Sequence, residues 1–164
     1  EGGHRVPFIV RWPEMVKAES VSDQIICQTD IMATCASLVG YDLPENSAED
    51  SFNISSVLFG HENNSVRPYV LHQTISLALA IREGNWKYLD HKGSGGSNYK
   101  RGGEWGLKQY ALPEKAPNAP GQLYNLKTDP GEENNLYFQN PERRKALKAK
   151  LDESRKTGRS APSR

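Results

Sequence analysis

Two cysteines, two methionines and four histidines are all that this chain of 164 residues carries of those types. On one helix, Cys27 and Cys35 would lie about 12 Å apart along the axis, at 1.5 Å per residue. That exceeds the roughly 4.4–6.8 Å Cα separation of a disulfide. No Cys-x-x-Cys pair and no clustered His/Cys set offers zinc ligands, so the two cysteines read as small buried hydrophobes. No apolar run approaches the ~20 residues of a membrane-spanning helix. Neither sign of charge prevails: 21 Lys and Arg stand against 20 Asp and Glu, a net charge of +1. Such a balance makes no field to attract nucleic acid or a membrane surface. There is no initiator Met and no leader segment, so the chain is expected to begin within a longer protein. Apolar residues make up 36%. The mean hydropathy of -0.72 is polar for a self-sufficient core, which implies solvated loops or a core completed by further chain.

What is present changes character midway. "EGGHRVPFIVRWP" reads as a loop and then a short buried strand, "FIV", bracketed by Pro7 and Pro13, residues that cannot donate to a sheet ladder. A covered strand of that kind needs neighbours on both sides. The next pattern predicts a helix with Asp30 as N-cap, a stripe of Ile31, Cys35 and Leu38 interrupted by Thr34, and Gly40 as the left-handed stop. "ISSVLFG" reads as a short apolar turn or helix. From Arg67 the period falls to two, and "RPYVLHQT", "LALAIREG", "WKYLDH" and "QLYNL" read as strands. Glu83-Gly84-Asn85 makes a hairpin turn. Leu77, Leu79 and Ile81 share one face, and Trp86 and Tyr88 pair with it. Asn140 and Pro141 open a final helix with Leu147 and Leu151 one turn apart and Gly158 as the stop. Its thin stripe places it on a sheet. Residues 1–62 therefore read as the end of a large α/β domain, and 63–164 as a small α+β unit with an antiparallel four-stranded sheet, a terminal helix and a tail.

Few segments promise chemistry. "GSGGSNYKRGG", within the Gly-rich loop 93–103, has no helix after it to complete a phosphate-binding turn. It reads as a flexible loop. "SAPSR" at the end matches a Cys/Ser-x-Pro-x-Arg spacing through Ser160, Pro162 and Arg164. It follows the last helix in a ragged tail, where disorder concentrates, and reads as coincidence. His4, His61 and His91 form no spacing with one another. His72 lies on a strand, on the face of Val70 and Thr74. Trp86, Tyr88, Tyr99 and Trp105 suggest an alternative, a stand-alone carbohydrate-binding or interaction module with an aromatic platform. The alternation favours Trp86 and Tyr88 as core instead.

Four blocks in order carry a resemblance. "EGGHRVPFIVRWP" resembles the "EGG-x-R-x-P" segment of type I, formylglycine-dependent sulfatases. "SDQIICQTDIMATCASLVG" is similar to that family's next block, with Asp30 and Thr34 in its Asp-x-x-x-Thr. "AIREGNWKYL" resembles its R-x-G-x-W-K hairpin, and "LYNLKTDPGEENNL" its LY-[DN]-L-x-x-DP-x-E-x-x-NL block. The bacterial arylsulfatase-A-like and N-acetylgalactosamine-6-sulfatase-like branch fits best. The resemblance implies an α/β, alkaline-phosphatase-like parent that hydrolyses aryl or carbohydrate sulfate esters, with this chain as its C-terminal fragment. It implies a calcium ion on the sulfate oxygens, acting as Lewis acid, and a formylglycine hydrate attacking sulfur. Nucleophile, calcium ligands and active-site Lys are expected upstream, leaving this chain with no catalytic residue, no metal ligand and no cofactor of its own. The expected partners are the N-terminal catalytic part of the same sulfatase and a sulfated small molecule or glycan. The expected location is periplasmic or secreted. One substrate-binding residue is expected here: His72, in the place of a family His that approaches substrate, with a charge tunable near neutral pH.

Overall fold

The computed structural model describes residues 4–61, 65–74, 77–92 and 115–163. The backbone packs as two compact units. One comprises Arg5–Val70 with Ser154–Arg164, and the other Glu1–His4 with Leu71–Glu153.

The first unit is built around α1, Asp30–Leu38. Thr29 stands at the N-cap position and Asp30 is the first helical residue. At the other end the N–H groups of Gly40 and Tyr41 donate to the carbonyls of Ser37 and Ala36. Gly40 adopts a φ of 67° to allow this, the paired closure that glycine makes possible. The expected apolar stripe is not the buried face. Asp30, Ala33, Thr34 and Ala36 are buried, whereas Ile31, Cys35 and Leu38 are exposed. The reason is polar stitching. The Ala33 N–H donates to Ser51 Oγ at 2.8 Å, and the Ile54 N–H donates to Thr34 Oγ1 at 3.0 Å. Thr34 Oγ1 in turn donates to the Asp30 carbonyl at 2.6 Å. The loop at 51–54 is thereby laced to the helix, and each buried polar group has a partner. That loop leads into the one-turn helix α2, Ser55–Leu58.

Asp30 is the centre of this unit, with 0% exposure. Its carboxylate accepts from the Arg67 guanidinium twice, Nη2 to Oδ1 at 2.6 Å and Nε to Oδ2 at 3.0 Å. It also accepts from the backbone N–H of Cys27 at 2.7 Å and of Phe52 at 3.0 Å. Arg67 is itself only 2% exposed. Its remaining donors reach the carbonyls of Tyr69 and Asp50, and its charge lies 4.6 Å from the Phe52 ring centroid.

Two further expectations fail in this unit. "FIV" forms no strand among the described residues, and Ile9 is 89% exposed. The described part of the unit offers it no ladder to join, and an extended segment without one has no reason to be called a strand. The tail, by contrast, is ordered. Ser160 donates from its N–H and its Oγ to Asp50 Oδ1, at 2.8 and 2.7 Å, and the Ala161 N–H donates to the Glu49 carbonyl. Anchoring by specific bonds overrides the general tendency of chain ends to fray.

The second unit follows the alternating pattern closely. Strands β1 (Val70–Gln73), β2 (Leu79–Glu83), β3 (Trp86–Leu89) and β4 (Gln122–Asn125) form one antiparallel sheet in the order β1-β2-β3-β4. The β2–β3 hairpin closes at Glu83↔Trp86, with Gly84 at a φ of 55°. Register places Ile81, Tyr88 and Leu123 side by side, and all three are buried. Helix α3, Pro141–Thr157, covers that face. Leu147 and Leu151 are buried, and Lys150 and Arg143 both reach Glu83. Trp86 is only half-buried, with the Arg143 guanidinium 5.8 Å from its ring. Leu77 falls outside β2 and is exposed. The opposite face carries Ala80, Leu89 and Tyr124, with Leu126 packed against them.

The "LYNLKTDPGEENNL" block earns its polar residues structurally. Asn135 lies against β4, its Oδ1 accepting from the Leu123 N–H and its Nδ2 donating to the Gly121 carbonyl. The Asp129 carboxylate accepts the N–H groups of Glu133 and Asn134 and so closes the turn.

Replacing Arg67 by Ala strands a buried carboxylate. Arg67→Ala is expected to cost about 3–5 kcal/mol, read as a lower denaturant midpoint. Tyr88→Ala is expected to cost about 3–5 kcal/mol as a buried aromatic, and Trp86→Ala clearly less, reversing the weight that alternation alone assigns to Trp86.

Candidate functional site

The face of the sheet opposite α3 carries a cluster of charge. β1 brings His72, β2 brings Arg82 and β3 brings Lys87, which alternates away from Trp86 and Tyr88. Register sets Arg82 and Lys87 directly opposite each other. Like charges so placed repel, and a carboxylate offsets them: the Lys87 ammonium lies 2.7 Å from Glu132 Oε1, with both side chains largely buried. Glu132 holds a φ of 57° in the turn after β4. A left-handed angle at a non-glycine residue costs on the order of 1–3 kcal/mol. Burial is the largest single influence and would push the Glu132 carboxyl up, but hydrogen bonding and nearby positive charge, Lys87 first among them, together outweigh it and hold it below the usual range.

His72 stands beside this pair. Its ring stacks on His4, with centroids 3.9 Å apart and planes only 7° from parallel. Its Nδ1 is buried and has no hydrogen-bond partner among the described residues. Burial is the main influence on its acidity, and His4, Lys87 and Arg82 add like charge. Only Glu132 opposes them, and the pKa falls from 6.5 to about 3. The expectation of a charge tunable near neutral pH is corrected: His72 is a neutral imidazole there, because desolvation disfavours the cation. What the site offers is a buried, uncharged ring whose Nδ1 takes no hydrogen bond from the described residues, beside a paired Lys and Glu.

The other sequence candidates are spoken for. The Ser160 hydroxyl ties the tail to Asp50. Tyr88 is buried and its hydroxyl bonds Asp90 Oδ1 at 2.7 Å. Burial first, and then that bond, push the phenol up. Tyr99, Trp105 and the Gly-rich loop 93–103 lie outside the described residues. Among the described residues no three His, Cys, Asp or Glu side chains converge as metal ligands. This set does not fit calcium, which takes about six to eight oxygens. No described helix is long and apolar enough to cross a membrane. Lys87, Glu132 and His4 escaped the sequence reading. The one local signal for Lys87 is a Lys that alternates away from two flanking aromatics, Trp86 and Tyr88. Nothing local marked Glu132 or joined His4 to His72 across 68 residues.

No protein-family model matches the chain. It is 37% identical over 142 residues to the N-acetylgalactosamine-6-O-sulfatase of Bacteroides thetaiotaomicron, across 87% of this chain and 25% of that protein. It is 30% identical over 168 residues to the ulvan-active sulfatase of Formosa agariphila, across 91% of this chain and 32% of that one. The chain thus spans about a quarter to a third of the length of these curated relatives. A solved structure from work on the metabolism of multiple glycosaminoglycans by Bacteroides thetaiotaomicron matches with a TM-score of 0.68 and 34% identity, covering 92% of this chain and 29% of that one. Another, solved in complex with its substrate D-glucosamine-2-N,6-O-disulfate, matches with a TM-score of 0.59 at 20% identity, a likeness of fold alone.

The depressed pKa of His72 has a consequence for stability. Between about pH 3 and 6.5 the unfolded chain takes up a proton that the folded chain refuses. The contribution is complete above about pH 6.5 and is lost as the pH falls toward 3. Denaturant melts at pH 7 and pH 5 are expected to show a smaller difference for His72→Gln than for the native chain.

Proposed function

This chain is a segment of the sulfatase family, and from that premise we propose that it is the C-terminal part of an enzyme that hydrolyses sulfate esters of carbohydrates or aryl alcohols. The observation that carries the reading is the 37% identity across 87% of the chain with an N-acetylgalactosamine-6-O-sulfatase. On this reading the nucleophile and calcium ligands lie elsewhere in the parent, and this chain alone is incomplete. Calcium, when bound there, supplies a Lewis acid to the sulfate oxygens.

The partner is the catalytic remainder of the same sulfatase. Phe8, Ile9, Val21, Met32 and Val39 leave apolar surface exposed on the first unit, which such a partner would cover. The parent is exported to the periplasm or beyond. Within it, His72 faces the substrate. Its unpartnered Nδ1 supports this, since a buried polar atom left without a bond costs free energy that a ligand oxygen can recover. As a neutral ring, His72 exchanges one ordinary hydrogen bond with sulfate or with a neighbouring hydroxyl and takes no part in bond breaking.

Purified alone and given calcium and a chromogenic aryl sulfate, the chain is expected to show no turnover, and joined to its upstream region it is expected to turn over. Turnover by the isolated chain, abolished by Ser160→Ala, would overturn the reading. In the joined enzyme His72→Ala is expected to lower kcat/KM by about ten-fold, one hydrogen bond at roughly 1.4 kcal/mol per decade, with the melting curve little changed near neutral pH.

A further inference from the structure

We propose that His4 is a positioning residue for substrate recognition: stacked flat on His72, it fixes the plane of that ring so that the buried Nδ1 is presented to an oxygen of the sulfated substrate. The inference rests on the reading of His72 as substrate-facing. A histidine at a strand surface ordinarily rotates about its last side-chain torsion, whose preferences are broad. Here the near-parallel contact at 3.9 Å closes one side of the ring to rotation. Among the described residues, the charged groups around it are Lys87 on β3, Arg82 on β2 and Glu132 in the turn after β4. Lys87 and Glu132 are committed to each other at 2.7 Å, and Arg82 Nε donates to the Gly84 carbonyl at 3.0 Å. Their proximity tunes His72 without using its Nδ1.

The arrangement suits a neutral hydrogen bond better than an ionic one. A second imidazole beside the first makes protonation of either less favourable, and so preserves the uncharged ring that burial already favours. His4 itself is exposed, so its replacement removes little packing. The effect of losing it is expected to pass through His72.

The test uses the enzyme restored with its upstream region and a chromogenic aryl sulfate. His4→Ala is expected to lower kcat/KM by roughly two- to ten-fold, the worth of one aromatic pair. His4→Phe keeps a flat ring in the stack and is expected to restore most of that loss. His4→Ala combined with His72→Ala is expected to be no worse than His72→Ala alone. Four results would overturn the proposal. Full activity of His4→Ala beside an impaired His72→Ala removes His4 and leaves His72 standing. Losses that multiply make His4 independent of His72. Equal losses in His4→Ala and His4→Phe, with lowered melting temperatures, assign His4 to the scaffold. Full activity of His72→Ala removes the reading of His72 itself, and the proposal with it.

Discussion

A carboxylate taken fully out of water must be neutralised where it stands, and the Asp30 side chain meets that demand with four bonds. Two come from Arg67 and two from backbone N–H groups on different segments. Because those segments lie at residues 27 and 52, one carboxylate fixes the entry to α1, the loop that returns across it and the stretch that leads into β1. The pair is not evidence of great stability in itself, since desolvation cancels much of the Coulomb gain. Its importance is specificity. With either partner absent, the other is a buried charge without its counter-ion.

The same logic, in milder form, organises the charged face of the sheet. Arg82 and Lys87 face each other across a hairpin, an arrangement that only a carboxylate between or beside them makes tolerable. Glu132 supplies it from a strained turn. His72 lies beside this pair and stays neutral chiefly because it is buried, with the positive charge of Lys87 and Arg82 adding to that effect and Glu132 opposing it.

How much of this was legible depended on whether apolar periodicity governed the element. In the sheet it did. Alternation placed all four strands, the turn at Gly84 and the covering helix with Leu147 and Leu151. In α1 it did not. Ile31, Cys35 and Leu38 repeat as a core stripe should, yet the buried face is Asp30, Ala33 and Thr34. Side-chain bonds to residues about twenty positions away decide that face, and no local window contains both ends of such a bond. Trp86 failed for a subtler reason: it has the right parity but stands at the end of its strand, where the Arg143 guanidinium of α3 lies over its ring. Of the candidate site, the family resemblance suggested His72, whereas its neighbours from the turn at 132 and the segment at 4 were joined only by the fold.

The bond from Ser160 to Asp50 spans 110 residues, and the unit it closes is interrupted in sequence by Leu71–Glu153 of the other. For a chain made from its amino end this sets an order of events. The pocket of Asp30 and Arg67 is complete once residue 67 has emerged. The carboxylate of Asp50 must then wait while the intervening sheet and helix are synthesised, roughly five to eighteen seconds at about 5–20 residues per second. Residues of the first unit thus become available from Arg5 onward, and its closing segment only after Glu153. Its last step is a long-range closure of the kind that slows folding, and until then the loop at 49–50 lacks the strand of chain that seals it.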